Sequence, residues 1–178
     1  KHSRSSRRDK IKSAKIYLND NEEVEREIRI TAQSGAEIGK GEYEHFMLKE
    51  IYEQPAVVGA TLSTFVQPST GRINIPDDVL EAIVDAPRLT LVACGTAFYA
   101  CLTAKYWIEQ IAGIPCDVDV ASEFRYREPP IPANTLAVFV SQSGETADTL
   151  AALRYCTGKA RVASVVNVPE SSIARESD

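Results

Sequence analysis

The segment Ser141-Gln142-Ser143-Gly144-Glu145-Thr146 gathers three hydroxyls, an amide and a glycine in one short stretch. It follows a continuous apolar run at 136–140 and precedes a helical pattern at 145–155. That places it where a buried strand ends and a helix begins. A helix N-terminus presents unpaired N–H groups and the positive end of its dipole, so an anion is stabilised there. Ser141, Ser143 and Thr146 add hydroxyl donors, Gln142 adds an amide, and Gly144 lets the backbone approach a ligand. The motif holds no Lys or Arg. Neutral donors suit reversible binding of a phosphate monoester, whereas a nucleotide loop brings its own lysine. Glu145 is expected to point away from the anion, where its charge still favours the helix dipole. The competing reading is a plain serine helix cap.

A second strand end gives Cys94-Gly95-Thr96-Ala97. Gly95 allows close approach, and Thr96 either caps the next helix or donates to a ligand. In a parallel sheet, adjacent strands would bring both loops to one crevice. Cys94 has no histidine base in sight and is not read as a nucleophile. Glu123, Arg125 and Arg127, in the stretch S-E-F-R-Y-R, either touch substrate or pair with neighbouring elements or a second subunit.

These loops need a scaffold. Residues 89–93, 116–120, 136–140 and 162–166 read as short apolar strands. Between the first two, Ala97, Cys101, Ala104, Ile108 and Ile111 recur on one helical face, ended by Gly113 and Pro115. In the second helix Ala147, Leu150, Ala151 and Leu153 are expected to face inward. Alternating strand and helix implies an α/β fold: a doubly wound parallel sheet flanked by helices. Upstream, residues 15–18 and 24–30 read as a hairpin around Asn19-Asp20-Asn21, and 31–44 as a Gly-rich linker. Two helices are expected at 45–54 and 55–66, then a turn at 68–71 and a helix from an Asp77 or Asp78 cap to about Asp85. Residues 171–178 look like the start of another helix or turn. A lone hairpin is marginal in water, and a four-stranded sheet leaves an edge. Both features lead to the expectation of a fragment of a longer protein.

Composition narrows the partners. With 44% hydrophobic and 25% charged residues the chain has an ordinary globular balance. No apolar run reaches the ~20 residues that span a bilayer, so no membrane role is expected. The net charge of −5 argues against general nucleic-acid binding. Residues 1–15 carry seven basic groups against Asp9, a net +6 that leaves −11 for the remainder. Such an arm could bind nucleic acid or an anionic surface, but no aromatic is interleaved with those charges for base stacking. A solvated strand edge or a disordered tail is the favoured reading. The cysteines Cys94, Cys101, Cys116 and Cys156 lack C-x-x-C spacing, and His2 and His45 are the only histidines. No metal site is expected, and dispersed thiols suit a reducing, cytoplasmic setting.

Together C-G-T-A, A-S-E-F-R-Y-R (121–127), S-Q-S-G-E-T-A-D-T (141–149), N-V-P-E-S-S (167–172) and H-F-M-L-K-E-I-Y-E-Q-P (45–55) resemble the glutamine–fructose-6-phosphate aminotransferase family. The serine loop alone resembles the wider sugar isomerase (SIS) domain family; the K-E-I-Y-E-Q-P stretch is more specific. The resemblance runs from about residue 13 to the end. It implies a glutaminase domain that releases ammonia, which travels through a channel to an isomerase domain. There fructose 6-phosphate becomes glucosamine 6-phosphate, with no cofactor. It implies that residues 1–31 end the glutaminase domain, 32–87 link, and 88–178 form most of a first SIS subdomain. Gly95, Thr96, Ser141, Gln142, Ser143 and Thr146 match the family's substrate-binding positions for fructose 6-phosphate or glucose 6-phosphate. Ala97 departs from the serine common there, removing one donor worth about 1 kcal/mol if unreplaced. No catalytic residue is expected in this chain, and Cys94, Lys159 and His45 are not read as substitutes. A homodimer through the isomerase domains is implied for the whole enzyme. The alternative is a non-catalytic sugar-phosphate-binding SIS module acting as a sensor.

Overall fold

The computed structural model describes residues 15–17, 23–24 and 39–178. The chain divides into two compact units, Lys1–Val58 and Gly59–Asp178. In the first, β1 (Ile16–Tyr17) and β2 (Glu23–Val24) pair antiparallel, with Lys15 bonded to Glu23 at 3.0 Å. This agrees with the expected hairpin where it is described; its turn, the remainder of both strands and most of the 31–44 linker lie outside the described residues.

The boundary between the units falls within α1 (Phe46–Phe65). Two helices were expected here, parted at Pro55, but one continuous helix forms. Proline removes a single N–H from the ladder, and the good helix formers around it (Lys49, Glu50, Glu53, Gln54 and Ala56) keep the helix continuous past it. A turn at 68–71 follows, closed by Gly71 N–H donating to the Gln67 carbonyl at 2.8 Å. The next helix, α2 (Asp77–Val84), begins after Pro76. Asp77 and Asp78 occupy its first turn rather than the cap, where their charge complements the dipole.

From Arg88 the chain alternates as expected. The order is β3 (Arg88–Ala93), α3 (Gly95–Trp107), β4 (Cys116–Val120), α4 (Ala121–Arg127), β5 (Thr135–Ser141), α5 (Ala147–Cys156), β6 (Arg161–Val166) and α6 (Ser172–Glu176). The strands are ordered β4-β3-β5-β6 and every neighbouring pair is parallel. Alternate residues feed two cores. Leu89, Leu91, Ala93 and Leu136 pack with Ala82 of α2 and Cys101 of α3. Val92, Ala137 and Phe139 pack with Phe124 of α4, Ala152 and Leu153 of α5 and Ile173 of α6. Helices therefore cover both faces of the sheet, as the two buried faces of its central strands require.

Three details differ from expectation. After Trp107, α3 passes into a π-helical turn, Ile108–Ala112. The wider turn rotates the apolar face, so Ile108 still packs on the core while Ile111 is exposed. In α5 the buried face is Thr149, Ala152, Leu153 and Cys156; Ala147 is exposed and Ala151 half-buried. Alanines carry too little apolar area to fix a helix's rotation. Finally, α4 was not anticipated.

Candidate functional site

The order of the strands reverses direction between β3 and β5: the chain steps from β3 out to β4, then returns to the other side for β5 and β6. Open α/β sheets bind ligands at such a switch point, outside the carboxyl ends of the strands. A pocket of about 250 Å³ opens there, small for a small-molecule site. Its lining is Cys94, Thr96, Ala97, Val140, Ser141, Gln142, Ser143 and Thr146. The structure thus brings together five of the six residues singled out from sequence. Gly95 is not in the lining. It sits at φ +57° as the first residue of α3, and a Cβ built there would meet nothing within 4 Å. Its service is the left-handed turn into the helix. A larger cavity of about 500 Å³ lies at the opposite end of the sheet, lined by Asp85, Asn134, Lys159 and Arg161 among others. It lies away from the carboxyl ends of the strands and contains none of the serine-loop residues.

Two helix N-termini converge on the small pocket, those of α3 and α5. Neither is capped by a side chain. Thr96 lies inside the first turn of α3, two residues past its cap position, Cys94. First-turn N–H groups without a capping side chain remain available to an anion. No Lys or Arg lines the pocket, so these amides and hydroxyls must supply the positive potential.

The hydroxyls are arranged by the loop's own backbone. Ser141 Oγ accepts from Gly144 N–H at 3.1 Å, and Ser143 Oγ accepts from Glu145 N–H at 3.2 Å. A hydroxyl that accepts from the backbone keeps its own proton to donate. Ser141 Oγ and Thr146 Oγ1 lie 3.0 Å apart, so one of that pair donates to the other. Of three hydroxyl protons, two are left for a ligand: that of Ser143 and one shared by the Ser141–Thr146 pair. Ser141 is buried at the end of β5, while Gln142 and Ser143 are exposed.

Gly144 does not serve close approach by a ligand, as the sequence had implied. It is buried at φ +65°, and a Cβ built on it would lie 2.0 Å from Ser171 Oγ. Its small size admits the segment that follows β6. Glu145 points away, as expected, but its carboxylate anchors the start of α6, beyond that helix's own Ser171 cap: Ser172 N–H donates to Glu145 Oε1 at 2.7 Å. That bond, with one to the Ser172 side chain, holds the Glu145 carboxyl below the usual carboxylate range.

The two arginines of S-E-F-R-Y-R face their neighbours, while Glu123 is exposed. Arg125 bonds Asp148 of α5 at 2.8 Å, and Arg127 pairs with Asp119. All four cysteines are free; Cys101, Cys116 and Cys156 are buried and Cys94 is half-buried. Burial pushes the Cys116 and Cys156 thiols up to about 11. Among the described residues no cluster of His, Cys, Asp or Glu is arranged to hold a metal, and no helix is long and apolar enough to cross a membrane.

Comparison with known proteins places this geometry in a family. The SIS domain model matches residues 82–178. The glutamine–fructose-6-phosphate aminotransferase (isomerizing) of Brucella abortus is 52% identical over 168 residues, 92% of this chain and 27% of that protein. The Zymomonas mobilis enzyme of the same name is 50% identical over 156 residues, covering 87% and 26%. Among solved structures, the C-terminal domain of glucosamine-fructose-6-phosphate aminotransferase from Francisella tularensis superposes with a TM-score of 0.72 at 45% identity, over 79% of this chain and 39% of that one. The chain spans about a quarter of the length of the curated relatives it matches. With more than half of its residues matched by the model, and the strand-end pocket in the place the fold reserves for ligands, the chain belongs to the SIS domain family.

Proposed function

We propose that this chain is the sugar-phosphate-binding part of a glutamine–fructose-6-phosphate aminotransferase. Fructose 6-phosphate or glucose 6-phosphate is the ligand, and the phosphate is held by Ser141, Gln142, Ser143 and Thr146. Gly95 and Thr96 form the opposing turn, with Thr96 facing the sugar. The observation that carries this reading is the convergence of two uncapped helix N-termini on a hydroxyl-lined pocket without cations. Such a site binds a dianion through dipoles and neutral donors, which keeps binding reversible. The identities near 50% to aminotransferases support the enzyme over a non-catalytic sensor.

On this reading residues 1–31 belong to a glutaminase domain, 32–87 to the linker and 88–178 to the first SIS subdomain. The glutaminase nucleophile and the isomerase acid–base groups belong to other parts of the enzyme, whose homodimer forms through the isomerase domains in the cytoplasm. Calorimetric titration of the chain tests the proposal. Fructose 6-phosphate should bind, and unphosphorylated fructose should bind far more weakly, because most donors address the phosphate. Equal affinity for the two sugars refutes the assignment of the loop. Synthase turnover by this chain alone refutes the division of labour.

A further inference from the structure

We propose that Glu145 is a positioning residue for the anion loop, acting through α6 and Ser143 rather than on the ligand. The inference rests on the anion-binding reading of residues 141–146. An acid beside a phosphate site opposes binding through its charge, so its presence in this loop calls for a compensating service.

The structure assigns that service through a relay of hydrogen bonds. Ser172 N–H donates to the Glu145 carboxylate at 2.7 Å. The Glu145 N–H in turn donates to Ser143 Oγ at 3.2 Å. Because that hydroxyl accepts from the backbone, its proton is directed outward, to the pocket it lines. The carboxylate thus fixes the backbone that orients Ser143.

Other contacts from the same segment hold the loop's outer side. Ile173 N–H donates to the Gly144 carbonyl at 3.0 Å, and Asn167 N–H to the Gln142 carbonyl at 3.2 Å. Ser171 fills the space beside Gly144 that a side chain would need. These are backbone and packing contacts. Glu145 adds an anchor made by a side chain, and its acceptor oxygen and its charge can be separated by substitution.

The test compares wild type, Glu145→Gln and Glu145→Ala in the full chain, titrated with fructose 6-phosphate and with inorganic phosphate. Thermal unfolding is followed in parallel. Glutamine keeps the acceptor oxygen and loses the charge, so its affinity should match wild type within about twofold or be slightly tighter. Alanine loses both, and its affinity should fall about five- to tenfold through lost preorganisation. Glu145 is exposed and glutamine keeps its acceptor, so Glu145→Gln should unfold near the wild-type temperature, and Glu145→Ala slightly below it through the lost bond at the start of α6. Alanine binding as tightly as glutamine overturns the inference, because charge would then be the side chain's whole effect. Equal weakening in both variants also overturns it. Failure of the wild type to bind either anion overturns the anion-binding reading itself, and this inference with it.

Discussion

The guanidinium of Arg125, on α4, donates to Asp148 Oδ1 at 2.8 Å and so ties that helix to the first turn of α5. Asp148 lies beside the helix N-terminus that would receive the phosphate, and its charge favours the helix while opposing the ligand. Arg125 offsets the second effect without entering the pocket. Arg125→Gln should weaken phosphate-ester binding by about two- to fivefold at low salt, in keeping with a partly exposed pair. Adding Asp148→Asn should restore it. Calorimetry on the two variants, repeated at high salt where the difference should shrink, checks this.

Ser143→Ala should remove one charge-assisted donor. The expected cost is about 1.5–3 kcal/mol, or roughly tenfold to a hundredfold in affinity for fructose 6-phosphate. Binding of unphosphorylated fructose should change little. A uniform loss for both sugars would show that Ser143 does not address the phosphate.

Gly144→Ala should destabilise the chain by at least about 1–3 kcal/mol, combining a left-handed backbone with a clash on Ser171. Gly144→Ala with Ser171→Gly should recover the part due to the clash and leave the part due to φ. Urea unfolding of the single and double variants separates the two terms.

Acid should loosen α6 at both ends. Ser172 N–H lowers the Glu145 carboxyl at its start, and Arg154, bonded bidentately at 2.7 Å, lowers that of Glu176 at its end. A carboxylate with a depressed folded pKa contributes stability above its unfolded value and loses it as pH falls through the folded one. The window therefore begins near the ordinary glutamate value and extends below it. Amide protection factors in residues 172–176 should fall between about pH 5 and pH 3. Unchanged protection would refute the assignment.

Cys94 should be the thiol that reports on the pocket. It lines the site and is half-buried, whereas Cys101, Cys116 and Cys156 are buried. Alkylation of the folded chain should modify Cys94 first, and fructose 6-phosphate should slow it. Peptide mapping by mass spectrometry with and without ligand gives the answer.

Much of this architecture could be read from local sequence. A continuous apolar run marks β5 within a residue at either end, because a strand buried on both faces has no polar alternation. The strands β3 and β6, whose apolar runs are interrupted by Thr90 and Ser164, were placed as closely. The serine loop's place at a strand end followed from the β5 run. The helix α4 was missed because seven residues give too few turns for a period, and only Ala121 and Phe124 of A-S-E-F-R-Y-R are buried. The services of Gly144 and Glu145 were also out of reach. Their partners, Ser171 and Ser172, are distant in sequence and become neighbours only once β5 and β6 pair.

The adjacency of β3 and β5 gives a bound anion a second consequence. Thr96 and the serine loop are remote along the chain, with β4 and α4 between them. A ligand gripped by both holds the ends of that intervening stretch together in the folded state alone; unlike a covalent crosslink, it leaves the opened chain unconstrained. That grip can form only after the two strands are in register. Ligand should therefore leave the folding rate of this unit nearly unchanged and act on its unfolding rate.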